Sequence, residues 1–203
     1  MIANVKSMDN YLICYRIGKV MYVGRYSDGK KITIALTEED FVAGMEKGTF
    51  LKWRHKAALA ALHYLALRRS EIPQLKKEDG SKTKELFYID VKIRLKGSKQ
   101  TIAIPLSLEA PYVGLIVKAF DYTRKGEAVF PYSSKTIYNI VHRVFKYPHL
   151  HRLSRITWLI GNFGTLTARS WTGLSLQTLE WYAEIVNLEK AGRSLAEMGA
   201  IRK

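Results

Sequence analysis

Between Phe87 and Lys96 the sequence FYIDVKIRLK alternates strictly. Phe87, Ile89, Val91, Ile93 and Leu95 are apolar; Tyr88, Asp90, Lys92, Arg94 and Lys96 are polar. A period of two sends each set to its own face, so this stretch reads as a half-buried β-strand with Lys92, Arg94 and Lys96 in succession on its outer face. GSK, at residues 97–99, makes a turn, and Ile102, Ile104 and Leu106 mark the return strand. The hairpin's apolar face needs a covering layer, and most of the surrounding chain has helical periodicity.

TEEDFVAGMEKG reads as a helix with Thr37 as its N-cap and acidic residues in its first turn. TFLKWRHKAALAALHYLALRR reads as a longer helix ending near Arg68 and Arg69, before Pro73. Everything after Ser107 reads as helices, at about 107–120, 134–147, 149–162, 165–173, 175–188 and 190–200. In the last two, Leu176, Leu179, Ala183 and Val186, then Leu188, Ala191, Leu195 and Met198, recur at helical spacing. The first 36 residues differ. YLICYRIGKVMYVGRY has two β-rich runs about Gly18-Lys19, and Asp28-Gly29 precedes KITIAL, which predicts a three-stranded meander over about 11–36. The expected organisation is a β-meander appendage over 1–36 and a mainly helical α+β domain over 37–203 with a small β-hairpin and a C-terminal helix.

Charge narrows the function. The 203 residues hold 33 Lys and Arg against 18 Asp and Glu, a net charge of +15. Basic residues recur from end to end, so the field belongs to the whole body and attracts polyanions, nucleic acid foremost. An anionic membrane is the rival, but no apolar run approaches the roughly 18 residues of a spanning helix, and no early stretch has signal-peptide order. Cys14 is the only cysteine, and the histidines at 55, 63, 142, 149 and 151 form no HExxH. A cytoplasmic, metal-free protein is the expectation.

An enzyme that breaks a DNA strand without a metal and conserves the bond energy needs a nucleophile that forms a phosphoester. It also needs cations on the nonbridging oxygens, an acid for the leaving 5′ oxygen and a base near the nucleophile. The chain offers these parts in order: ALRRSEI, then LKGSKQTIAIPL, then HLHR, then SWTGLSLQTLEWY. In this it resembles the catalytic domain of the tyrosine recombinases, the phage-integrase family, over about residues 36 to 190. ALTEEDFVAGM is similar to that family's opening helix, and AVFPYSSKTIYNIVHRVFK to its linking segment and next helix.

The resemblance implies Arg68 as the first phosphate-clamping arginine, followed by the matching Ser70 and Glu71. It implies Lys96 as general acid, His149 and Arg152 as the His-x-x-Arg pair, and Tyr182 as the nucleophile. Lys92, Arg94, Lys99, Arg143 and Arg169 are candidates for DNA contact. The residues alone leave rivals: Arg69 for Arg68, Lys99 for Lys96, His151 with Arg155 for His149 with Arg152, and Tyr138 or Tyr147 for Tyr182, itself able to be a plain core tyrosine. Three departures stand out. His151 replaces a usual leucine, the stretch from Arg152 to Tyr182 is short, and Gly173 lies nine residues before the tyrosine, where the family usually has His or Trp.

The expected function is site-specific DNA recombination through a 3′-phosphotyrosine, with double-stranded DNA as partner, a tetramer on DNA, and no cofactor. Type IB topoisomerase-like relaxation and a noncatalytic DNA-binding protein of the same fold are the alternatives. The short length and the lack of the family's separate DNA-clamping domain resemble recombinases of archaeal viruses or plasmids. Arg16, Lys19, Arg25, Lys30 and Lys31 would suit the meander to phosphate contacts; a sheet packed on the main domain is the other reading.

Overall fold

The computed structural model describes residues 36–95, 98–145, 149–180, 182 and 183, and the backbone of three strands before them; of 93–95, 98 and 99 it describes backbone alone. The early strands are β1 (Ala3–Ser7), β2 (Asn10–Ile17) and β3 (Val20–Tyr26), paired antiparallel in the order β1-β2-β3. β2 meets β3 from Tyr11↔Tyr26 to Ile17↔Val20. The expected strand at KITIAL lies outside the described residues apart from Leu36.

Helix α1 (Glu38–Lys47) begins where local chemistry dictates. The Asp40 amide donates to Thr37 Oγ1 at 3.1 Å and the Thr37 amide to Asp40 Oδ2 at 3.2 Å, a reciprocal cap. Glu38, Glu39 and Asp40 complement the positive end of the helix, and Phe41 and Met45 carry its buried face. Helix α2 (Trp53–Tyr64) is buried continuously from Ala57 to Tyr64. It stops at Tyr64, four residues short of the expected end. Ala66 turns left-handed at φ 52, and the Arg68 amide is taken at 2.6 Å by Glu71 Oε2 instead of a helical carbonyl. Arg68 therefore stands in a turn beyond the helix.

The hairpin is the long part of a three-stranded antiparallel sheet, β4 (Gly80–Lys82), β5 (Leu86–Leu95) and β6 (Ser98–Ser107). The short β4, which sequence pattern did not indicate, pairs Gly80↔Ile89 and Lys82↔Phe87. Gly80 is there because its backbone lies against two rings: an added Cβ would fall 2.4 Å from Phe120 and 2.8 Å from Phe87. β5 and β6 run in register from Leu86↔Ser107 to Leu95↔Ser98. Phe87, Ile89 and Val91, with Ile104 and Leu106, are buried, as the alternation requires.

Helix α3 (Val113–Asp121) begins six residues later than its expected start, because β6 extends to Ser107 and a turn through Tyr112, at φ 63, follows. Helix α4 (Ser134–Phe145) starts with the Thr136 amide donating to Ser133 Oγ at 3.0 Å. Helix α5 (His149–Thr172) is interrupted at Gly164, at φ 84 and ψ 172, between the two helices that periodicity predicts. Gly173, at φ 67, ends it with its amide on the Arg169 carbonyl at 2.8 Å, a left-handed stop that suits glycine. Residues 176–180, 182 and 183 are again helical, while the expected helix at 190–200 lies outside the described residues.

Most of α1 to α4 and the sheet share one apolar core. A second, smaller cluster joins Ala66, Leu153, Ile156, Leu159, Ala168, Leu179 and Tyr182, and Trp171 packs against both. The face of the last segment is rotated from the expected stripe: Leu179 and Tyr182 are buried, whereas Leu176 is exposed. No helix among the described residues is long and apolar enough to cross a membrane.

Candidate active site

The turn after α2 and the first turn of α5 meet at a cleft of about 290 Å³. Arg68, Arg69, Ser70, Tyr138, His149 and Arg152 are among its lining residues. His149 opens α5 and is exposed; Arg152 lies three residues on, which is about one turn and the same face. His151 points elsewhere. It is fully buried, with Nδ1 3.4 Å from His63 Nδ1 and its ring edge-on to Phe145 at 4.6 Å. The rival pair His151 and Arg155 is thus interior, and the cleft takes His149 and Arg152.

The two arginines differ in setting. The Arg68 side chain is 55% exposed and pairs with Glu71 at 2.9 Å. Arg152 is the more enclosed of the two: its side chain is 5% exposed. Its guanidinium donates to the carbonyls of Ala66 and Thr172, and Nη1 lies 3.9 Å from Glu71 Oε2. Burial holds the Arg152 pKa below the usual guanidinium value, and the charge of Arg68 lowers it further. Glu71 thereby stands between the two cations, one oxygen toward each. Such a carboxylate orients guanidiniums that would otherwise repel, leaving their other N–H donors for an anion.

Tyr182 is 6% exposed and belongs to the second apolar cluster. Burial pushes its phenol up, and the charge of Arg152 pulls it part of the way back. The ring is a core residue whose hydroxyl lies within the field of the buried arginine. Gly173, Trp171 and Thr172 line a small polar pocket together with Arg68, Glu71 and Arg152. Trp171 Nε1 is buried without a hydrogen-bond partner among the described residues.

The remaining candidates scatter. Lys92 is exposed on β5 and borders a small recess with Leu67 and Glu71. Arg94 and Lys99 are partners across β5 and β6, and their side chains, like Lys96 altogether, lie outside the described residues. Arg169 is exposed near the end of α5. Arg143 is exposed on α4 five positions beyond Tyr138, about 140° round the helix, and its charge helps lower the His55 pKa. Arg69 and Tyr138, named from the sequence only as rivals for Arg68 and Tyr182, both line the cleft, with the Arg69 guanidinium 5.5 Å from the Tyr138 ring centroid. Glu71 was expected only as a match to the family pattern after Arg68, with no role assigned to it.

The architecture is similar to that of solved proteins. Over 83% of this chain and 65% of theirs, it superposes on XerA recombinase with a TM-score of 0.62 at 16% identity. The chain has the catalytic-domain fold of the tyrosine recombinases. XerH site-specific recombinase bound to its difH substrate matches with a TM-score of 0.57 at 19% identity, over 80% of this chain and 54% of that one. A lambda integrase tetramer bound to a Holliday junction matches at 0.52 and 18%, over 73% and 49%. This chain therefore spans less than two thirds of the length of each of these recombinases. No family model and no curated protein matches its sequence. Within the tyrosine-recombinase fold, Gly173 is a helix terminator in a left-handed conformation, set in the pocket wall beside both arginines.

Proposed function

We propose that this protein cleaves and rejoins DNA strands as a site-specific recombinase through a 3′-phosphotyrosine on Tyr182. The observation that carries the reading is the convergence of Arg68, His149 and Arg152 on one cleft, with Glu71 between the arginines and the Tyr182 phenol in the field of Arg152. The Tyr182 oxygen attacks phosphorus and the bond to the 5′ oxygen breaks. His149 takes the phenolic proton, and Lys96 supplies one to the leaving oxygen. Arg68 and Arg152 hold the nonbridging oxygens, whose charge grows in the transition state. The phosphotyrosine keeps the bond energy, so rejoining is the same steps reversed and needs no nucleotide.

A nicked suicide substrate tests this: wild-type protein should accumulate a covalent adduct and Tyr182→Phe none. Undiminished adduct in that variant would reassign the nucleophile. Cleavage without sequence preference would favour the topoisomerase-like reading. The glycine at 173 favours a second reading, a DNA-binding protein that keeps the fold without the chemistry, for which no adduct forms under any condition.

Exchange of two duplexes requires four cuts, so the working form is a tetramer on DNA, like the lambda integrase tetramer on its Holliday junction. The stripe of Leu188, Ala191, Leu195 and Met198 is the proposed assembly element, and Leu195→Glu should abolish higher-order complexes while single-strand cleavage persists. Residues 1–36 are proposed as a separate appendage. If they contact DNA, deleting them leaves a folded remainder with weaker binding; if they pack on the domain, the remainder is insoluble. DNA as substrate implies a site of action in the cytoplasm, on the nucleoid or on a resident viral or plasmid genome.

A further inference from the structure

We propose that the face formed by the start of α2 and the end of α3 is a second DNA-backbone site, distinct from the cleft. Trp53 opens α2 and Tyr122 follows α3; their rings meet edge to face at 6.0 Å. Lys118 Nζ lies 4.9 Å from the Trp53 centroid and 5.8 Å from that of Tyr122. The Arg54 guanidinium lies 5.2 Å from Trp53 and donates to the Tyr122 carbonyl at 3.4 Å. Next to this group, the His55 and Tyr132 rings are 5.4 Å apart. Burial lowers the pKa of His55, and the charges of Lys52 and Arg143 lower it further.

Arg54 and Lys118 therefore meet on this face, and Lys52, the residue before Trp53, is exposed beside them. None of Lys52, Arg54, Lys118 and Arg143 forms an ion pair with a carboxylate among the described residues, and Asp121, next to Tyr122, is engaged by Lys77 at 3.6 Å. Aromatic faces hold two of these cations in place without neutralising them. A polyanion can then meet the whole charge, and Tyr122, 68% exposed, leaves the face open to it. A phosphodiester backbone supplies that charge in a continuous row, and the chain's net charge of +15 and its fold favour it over an acidic protein surface. The site is remote from the cut: α2 runs 12 residues, about 18 Å, before the turn that carries Arg68. The choice of DNA as ligand rests on the proposed function.

The test is binding of the full chain to duplex DNA across a salt series. Each lost phosphate contact reduces the slope of log affinity against log salt by about 0.9. Lys52→Gln, Arg54→Gln and Lys118→Gln together should therefore make it shallower by up to about 2.7. The same number of charges removed from exposed Lys76, Lys82 and Lys84 should leave it within error. An unchanged slope in the first triple, or equal losses in both, overturns the proposal. If the first triple misfolds, Lys52→Gln with Lys118→Gln keeps the Arg54 bond and must still lose slope, while Lys52→Arg with Lys118→Arg must retain it. The two readings fail differently. A wild-type protein with a steep slope that forms no adduct contradicts the recombinase chemistry alone, and a patch variant with wild-type slope contradicts the second site alone.

Discussion

Arg152 donates to the carbonyl of Ala66, the residue at which the chain leaves α2 in a left-handed turn. That bond ties α5 to the end of α2 and sets Arg68 and Arg152 on two sides of Glu71. A left-handed alanine costs on the order of 1–2 kcal/mol, and the buried guanidinium offsets that cost by satisfying a carbonyl that the helix no longer uses.

The two arginines should accordingly separate stability from catalysis. Replacing either with alanine should slow adduct formation about a hundredfold, the effect of losing one transition-state donor. Arg152→Ala also leaves the Ala66 and Thr172 carbonyls unpaired and should cost about 1–3 kcal/mol in urea unfolding. Arg68→Ala, half exposed, should stay within about 0.5 kcal/mol. Equal stability losses would contradict the different burial of the two groups.

Tyr182→Phe keeps the ring in the second apolar cluster and removes only the oxygen. Stability should change by less than about 1 kcal/mol, and DNA affinity should hold while the covalent adduct disappears. An unfolded variant would mean that the hydroxyl serves packing alone, and circular dichroism with a gel-shift assay resolves the two.

Acid should weaken the fold before any carboxylate titrates. Burial lowers the pKa of both His63 and His151; Glu38 opposes this at His63, with Nε2 3.7 Å from its carboxylate. Both histidines are neutral in the fold, so the unfolded chain binds the extra protons. Stability is full above about pH 6.5, the unfolded value, and falls below it by up to about 1.4 kcal/mol per pH unit for each histidine. Arg155 faces His63 as a further cation, in the same direction. The Glu38 pKa is lowered despite its burial, by His63 and Tyr64, so its contribution is lost only as pH falls below the usual carboxylate range. His151→Phe, between Phe41 and Phe145, should flatten the profile from pH 7 to about 5.5; an unaltered profile would place the proton uptake elsewhere.

Gly173→Ala should cost about 1–2 kcal/mol, because φ 67 is a conformation that a Cβ resists. Gly173→His, which would put a ring in the pocket wall beside both arginines, meets the same resistance. Thermal unfolding of both variants checks this, and a neutral alanine would mean that the turn relaxes.

Much of this architecture is local and was legible as such. Thr37 caps α1 because a hydroxyl and a carboxylate three residues apart satisfy each other's backbone. The alternation from Phe87 to Leu95 made one face of β5 apolar whatever covered it. The break at Gly164 follows from a residue with no side chain between two amphipathic runs. Three-residue spacing alone also put His149 and Arg152 on one face. What the chain could not disclose locally depends on segments far apart in sequence. α2 stops at Tyr64 because Arg152, 86 residues after Ala66, takes a carbonyl there, and because Glu71 takes the Arg68 amide. β4 forms because β5 offers an edge, and Gly80 lets Phe120 and Phe87 approach. Only the packed structure decided that His151 is interior and His149 is in the cleft: two residues apart on one helix lie about 200° apart, and the core takes the side that meets Phe41, His63 and Phe145.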